Sequence, residues 1–340
     1  MQRKIPFIRV KGSAEDRGAA IGAAFASRIG ASSEFYGRLL GLSDAELSAR
    51  GARFAGIIGA FRPAFVREIE ACADAAGIAA NRLFAINARS ELLTSAGVPE
   101  CTAISFRQSA LLGQTWDWVQ AFEDLFVLVS HETEQGSRFL TVTEPGILAK
   151  IGLNSAGFGV CLNFLMSRRP WMQGLPIHVF LRAVLECQSW QEVVEFAGAE
   201  ADGIVGNVMI ASAAGELLNI EGSPEQASIS SAGAHVFVHT NHYLQRNDGG
   251  GAMEMLGNST GRLEAALELA GRGTQDLDQL KHVLSDTEAG PILVPYTPYQ
   301  GMNVGTVCTV LMELGAGRLH VRTGPDPSVP FETFALTSSS

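Results

Sequence analysis

The chain has 340 residues and a net charge of −10, with 46% hydrophobic and 18% charged residues. This composition excludes disorder and supplies a large core, and the acidic balance excludes nucleic acid as a partner, because phosphate binding needs a clustered basic surface. Five cysteines without a CxxC spacing exclude a disulfide framework and a structural zinc site, and no apolar run reaches membrane-spanning length. The expectation is a soluble, cytoplasmic protein without a metal and without a membrane partner. The N-terminus, "MQRKIPFIRVKGSAEDRG", is broken by charge and glycine before a signal-peptide core can form.

After a short apolar stretch at Phe7–Val10, residues 14–89 are dominated by helix formers at helical spacing. The clearest run carries Leu47, Phe54, Ile57, Ile58, Phe61, Phe65 and Ile69 at intervals of three and four. Ser43 is its expected N-cap, and Pro63 is expected to kink or split it. From Cys101 the period changes to two or to short β-branched runs bounded by Gly, Ser and Asp: strands are expected at 102–107, 110–118, 125–131, 138–143, 148–153 and 158–163. Helices return at about 176–198, then strands at 207–212, 216–220, 227–230 and 235–239. Helices near 259–270 and 275–284 and strands at 305–313 and 317–322 close the pattern. Grouped helices and antiparallel strands predict an α+β fold or an αββα sandwich. The charge divides unevenly at the same border: residues 1–100 hold 13 basic and 10 acidic side chains, residues 101–340 hold 12 and 25. Such asymmetry suits two segments that pack on each other.

At that border stands "VPECTAISF", followed by "GQTWDW". A tight hairpin at Gln108 and Ser109 sets Cys101 opposite Trp116 if paired positions sum to 217, or opposite Asp117 if they sum to 218. Either register brings Asp117 beside Cys101. Free cysteine is usually a small apolar filler, but an aspartate between two tryptophans in a strand needs a partner. A carboxylate alone raises a thiol pKa, so an Asp beside a nucleophilic Cys requires a cation between them.

"ECTAISF", "GQTWDW", "IGLNSAGFGVCLNF", "HTNH" and "NSTGRLEAA", in that order, resemble the acyl-coenzyme A:6-aminopenicillanic acid acyltransferase family. That family belongs to the N-terminal nucleophile (Ntn) hydrolases and is related to the bile salt and penicillin V hydrolases; Gly12, Gly18 and Gly22 resemble its opening glycine pattern. The resemblance implies an Ntn αββα sandwich and a precursor that cuts itself between Glu100 and Cys101. Residues 1–100 would become a helical α subunit that stays associated with a β subunit of residues 101–340. It also implies that the freed α-amine, with a pKa of about 7.7–8.0, is the base for the Cys101 thiol and that Asp117 holds the resulting ammonium. Asn241 matches an oxyanion-hole amide, a donor worth about 3–4 kcal/mol. Asn163 matches a residue near the substrate amide, and Arg262 one that fixes the polar network around the nucleophile.

Gln114 stands where the bile salt hydrolases have an arginine, and Ala103 stands where penicillin acyltransferase has a hydroxyl. Gln114 and Trp116 are nevertheless expected to contact substrate. The implied reaction is cleavage, or acyl transfer, at a linear amide of a small molecule through a Cys101 thioester. No cofactor is expected, with an acyl-coenzyme A possible as a substrate. The alternatives are an acyl-coenzyme A-dependent penicillin-type acyltransferase and an uncut binding protein on the same fold. His239 and His242 lack a third metal ligand, "NDGGGAME" at 247–254 lacks a phosphate-loop lysine, and Arg168 and Arg169 read as a solvated pair. Cys72, Cys161, Cys187 and Cys308 read as core.

Overall fold

The architecture comes from a computed structural model that describes residues 4–93, 101–165, 170–224, 226–231, 233–245, 258–288 and 290–336. Glu100, Arg168, Arg169 and the glycine-rich 247–254 segment lie outside the described residues.

The chain begins with a strand, β1 (Phe7–Gly12), and then turns helical in α1 (Ala14–Leu39), α2 (Asp44–Phe61), α3 (Pro63–Ala76), α4 (Ala80–Asn87) and the single turn α5 (Arg89–Leu92). Ser43 caps α2 in a capping box with Glu46, which satisfies two end groups reciprocally. Pro63 splits the long periodic run instead of bending it: α2 ends at Phe61, and the proline takes the first position of α3, where its missing N–H costs no hydrogen bond. Leu47, Phe54, Ile58, Phe65 and Ile69 are buried as their spacing requires.

The remainder alternates strands and grouped helices. A hairpin, β2 (Thr102–Phe106) and β3 (Leu111–Val119), is followed by the short α6 (Ala121–Leu125). Then come β4 (Val127–Thr133), β5 (Arg138–Thr143), β6 (Ile151–Asn154) and β7 (Phe158–Asn163). Next are α7 (Ile177–Glu186), α8 (Trp190–Glu200), β8 (Gly206–Ser212), β9 (Leu217–Gly222), β10 (Ala227–Ser231) and β11 (Val236–His239). The chain closes with α9 (Ser259–Gly271), α10 (Leu277–Val283), β12 (Thr297–Tyr299), β13 (Met302–Glu313), β14 (Arg318–Thr323) and β15 (Glu332–Ala335). The helices expected at about 176–198 are α7 and α8, separated where Cys187 is extended and Ser189 caps a new start.

One sheet has eight strands in the order β1-β4-β5-β6-β7-β8-β9-β10, and the other runs β11-β2-β3-β13-β14-β15 with β12 on β13. Their inner faces meet where β2 and β3 cross β7 and where β13 crosses β6. Helix α7 covers the first sheet, and α9 and α10 cover the second. Residues of α1 and α3 pack over β4, so the layering is αββα. Both faces of most strands are therefore dry, and strands such as β3 and β8 are buried at every position.

The N-terminal segment is not helical alone. β1 adds a parallel edge to the first sheet through β4, with Phe7 opposite Leu128 and Gly12 opposite Thr133. The apolar stretch at Phe7–Val10 supplies this strand, with Ile8 and Val10 alternating with Arg9 and Lys11.

Candidate active site

Cys101 precedes β2, and the ladder begins one residue later with Thr102 opposite Thr115, the register whose positions sum to 217. Its extension sets Cys101 across from Trp116. The turn at 107–110 closes on an Arg107–Ala110 backbone hydrogen bond, with Ala110 at φ 52°.

Because Cys101 stands outside the ladder, its backbone is held by side chains. Its N–H donates to Asn241 Oδ1 at 2.7 Å. Its carbonyl accepts from Asn163 Nδ2 at 3.1 Å and from Arg262 Nη1 at 3.0 Å. Arg262 Nη2 also donates to Asn241 Oδ1 at 3.0 Å, which fixes the amide so that Asn241 Nδ2 faces the Phe164 carbonyl at 3.0 Å. Asn207, opposite Asn163 in the β7–β8 ladder, donates to Asn163 Oδ1 at 3.1 Å. All these side chains are buried.

The sequence sets Arg262 in the first turn of α9, where a cation opposes the helix dipole. Burial among the Cys101 carbonyl, Thr102 Oγ1 and Asn241 provides the acceptors it requires. Asn258 caps the same helix, and Ser259 Oγ receives the Asn241 backbone N–H at 2.9 Å, tying α9 to the segment after β11.

Asp117 lies beside the thiol, with the Cys101 Sγ 4.0 Å from the Asp117 carbonyl. Its carboxylate accepts from Thr306 Oγ1 at 2.6 Å. The β3–β13 register slips between Thr306 and Cys308, so Thr306 stands opposite Asp117 and Cys308 opposite Trp116. A bulge of this kind re-aims side chains locally. Burial pushes the Cys101 thiol up to about 11, and the Asp117 charge acts in the same direction; Lys150, a bond to the Asp117 backbone and Arg262 act against them.

The expected residues Cys101, Asp117, Asn163, Asn241 and Arg262 thus converge. Gln114 and Trp116, expected at the substrate, project from β3 toward the first sheet. Gln114 donates to the Leu162 carbonyl and accepts from the Leu162 N–H at 2.9 Å, a tie between the sheets. Trp116 is buried against Phe122 and Phe126, with Lys150 Nζ 3.5 Å above its ring. The sequence reading did not include Lys150, Thr306 or Asn207. A lone lysine inside the apolar run "GILAKIGL", with Glu144 six residues before it, was the available signal.

His239 meets Glu221 Oε1 at 2.8 Å through Nε2, and among the described residues no His, Cys, Asp or Glu cluster is placed to hold a metal. Cys72, Cys161 and Cys308 are buried, and Cys187 is half-buried. Among the described residues, no helix is long and apolar enough to cross a membrane.

Two mainly antiparallel sheets packed between helical layers give the chain the αββα sandwich of the Ntn-hydrolase fold. More narrowly, it belongs to the acyl-coenzyme A:6-aminopenicillanic acid acyl-transferase family, whose model matches residues 106–326. A similar curated protein, the 40 kDa form of acyl-coenzyme A:6-aminopenicillanic-acid-acyltransferase from Emericella nidulans, is 28% identical over 291 residues, 82% of this chain and 80% of that one. Among solved structures, penicillin V acylase from Agrobacterium tumefaciens matches with a TM-score of 0.44 and 13% identity, covering 66% of this chain and 82% of that one. A mutant conjugated bile acid hydrolase from Clostridium perfringens matches at 0.47 and 14%, covering 70% and 92%.

Proposed function

We propose that the chain is a precursor that cuts itself between Glu100 and Cys101 and then cleaves a linear amide of a small molecule through a Cys101 thioester. The observation that carries this reading is the suspension of Cys101. Its N–H donates to the Asn241 side chain and to no strand, so freeing that nitrogen removes no ladder bond and leaves an acceptor in place for the new amine.

In the first event the Cys101 thiol adds to the Glu100 carbonyl carbon, the C–N bond breaks, and the amine nitrogen takes the thiol's proton. Water then splits the thioester, giving a Glu100 carboxylate and restoring the thiol. The thiol is held up to about 11 in the uncut chain. A free α-amine, at about 7.7–8.0, is a far better match to neutral pH as its base. Protonated, that amine would sit between the Asn241 oxygen and Asp117 and remove the penalty that Asp117 imposes on the thiolate.

During turnover the thiolate adds to the substrate carbonyl, and Asn241 Nδ2 is the donor proposed for the developing oxyanion. The α-ammonium returns its proton to the leaving amine, and water resolves the thioester. Resolution by an amine is the second reading, favoured by the activity in the Emericella relative's name, with an acyl-coenzyme A as the possible acyl donor. The two fragments are proposed to remain together. The location proposed is the cytoplasm.

N-terminal sequencing of purified protein tests the reading. A fragment beginning Cys-Thr-Ala-Ile-Ser-Phe is expected, and Cys101→Ala should remain one chain of 36.1 kDa. An uncut chain that still turns over amides would overturn it.

A further inference from the structure

The freed α-amine cannot serve as base for the cut that creates it. In the uncut chain nothing of that amine yet stands between Cys101 and Asp117, so the Asp117 charge opposes the thiolate at the moment self-cleavage needs one. A cation present before the cut is required, and the fold provides one behind Trp116. Lys150 Nζ lies 3.5 Å over the ring of Trp116, and Trp116 stands across the β2–β3 ladder from Cys101. Glu144 Oε1 fixes the ammonium at 2.7 Å. The same carboxylate also accepts two bonds from Arg89, one of them at 2.8 Å from Nε, and one from the Tyr36 hydroxyl. Two cations therefore share one carboxylate, and this buried cluster carries an excess positive charge directed at the sheet that bears the nucleophile.

We infer that Lys150 is the positioned charge that favours the Cys101 thiolate in the uncut chain, and so sets the rate of self-cleavage. This rests on the self-cleavage reading above and adds a residue that acts before the α-amine exists. Lys150 acts through its field: the thiol gives its proton to water, the thiolate adds to the Glu100 carbonyl, the C–N bond breaks and the amine nitrogen takes that proton back from water. The electrostatics of the pair agree with this role. Burial pulls Lys150 down to about 8, Glu144 works against that, Arg89 adds to it, and the Cys101 thiolate favours the charged lysine. His178 on α7 and Cys308 on β13 are the other titratable neighbours, and burial holds both in their neutral forms.

The test follows cleavage of the full-length chain after refolding by dilution, read by denaturing gel and intact mass from pH 6 to 9.5. Wild type is expected to level off near pH 8, where Lys150 loses its charge as fast as the Cys101 thiol, held up to about 11, ionises. Lys150→Met should cut about tenfold or more slowly at pH 7, the effect of moving a thiol pKa by one or more, and should still be accelerating at pH 9. Lys150→Arg, which keeps the charge, should cut at close to the wild-type rate at pH 7 and, having no proton to lose in this range, should go on accelerating above pH 8. Hydroxylamine, which breaks thioesters, should not rescue Lys150→Met, because the defect precedes the thioester. If Lys150→Met fails to fold, as judged by near-ultraviolet circular dichroism, Lys150→Gln replaces it with a donor for Glu144 and faces the same outcomes. A neutral variant with the wild-type rate and pH profile, or rescue by hydroxylamine, overturns the role of Lys150 alone. A wild-type chain that never yields the Cys101 fragment overturns the self-cleavage reading, and this inference with it.

Discussion

Asn241 carries opposite duties on its two amide ends. Its oxygen accepts from the Cys101 N–H and from Arg262, while its nitrogen faces the Phe164 carbonyl. Asn241→Asp keeps the first duty and removes the second, so folding should survive while oxyanion stabilisation is lost. The expected outcome is a fall in kcat of about 10²–10³ with little change in the melting temperature, measured on an N-acyl substrate that wild type turns over. Unchanged kcat would place the oxyanion donor elsewhere. The residues that meet around Cys101 were legible as a group because Cys101, Asp117, Asn163, Asn241 and Arg262 lie in short motifs whose order is informative. Lys150 was not, since an isolated lysine in a strand usually marks a solvated face. Its burial follows from Tyr36, Arg89 and Glu144, three side chains distant from one another in sequence that only the fold assembles. Gln114 and Trp116, expected at the substrate, lie on the face of β3 turned to the first sheet, a face that Cys101 shares across the ladder.

Element boundaries were most legible where punctuation was strong. Strands 138–143 and 158–163 match β5 and β7 at both ends, whereas α6, β12 and β15 are too short to carry a period and form because neighbouring strands and helices receive them. The contact between α1 and α3 shows what a residue type can encode at this scale. A Cβ added at Gly18 would lie 2.1 Å from the Glu68 carbonyl oxygen, and one at Gly22 would lie 2.3 Å from that of Cys72. The helices cross at these glycines because no larger residue fits. Gly30, on the same helix, has nothing within 4 Å of such a Cβ. Gly18→Ala should therefore destabilise the chain by about 1–3 kcal/mol through overpacking, while Gly30→Ala should stabilise it by up to about 1 kcal/mol through helix propensity. Urea unfolding of both changes in the uncut Cys101→Ala background, where the equilibrium is unimolecular, measures the difference. Equal shifts of the same sign would refute the assignment of the crossing to Gly18.

Across the whole molecule, charges from before residue 100 are matched by charges from after it. Lys11 pairs with Glu132, Arg62 with Glu186, Arg89 with Glu144, and Glu68 with Arg182. The last two pairs are buried, and Glu68 also accepts from Arg17 at 2.6 Å. Truncating one member of such a pair leaves an uncompensated charge in the interior, so these clusters hold the two segments in one arrangement as well as in contact. Burial acts to raise Glu68, but Arg182 foremost, with Arg17, brings it down to about 2; Glu144 is likewise held well below the ordinary carboxylate range by Arg89 and Lys150. A carboxylate depressed on folding stabilises the folded state above its unfolded value, here 4.5, and that stability is lost as pH falls toward the folded value. For Glu68 this amounts to about 3 kcal/mol. His131 and His178, kept neutral by burial, act in the same direction below their usual value of 6.5. Glu91 opposes them: burial raises it to about 7, so its contribution grows as pH falls from 7 to 4.5 and is complete below that. The steepest loss is thus expected between pH 4.5 and 2. The urea midpoint of the uncut Cys101→Ala chain should change little from pH 7 to 5 and fall sharply below 4.5. Cut protein followed by native mass spectrometry should release its two fragments in the same range. Glu68→Gln, which leaves Arg17 and Arg182 facing a neutral amide, should be less stable at pH 7 and show a shallower acid transition. A variant as stable as wild type at neutral pH, with an unchanged acid transition, would mean that the two segments are joined by apolar packing and β1 pairing instead of by these charges.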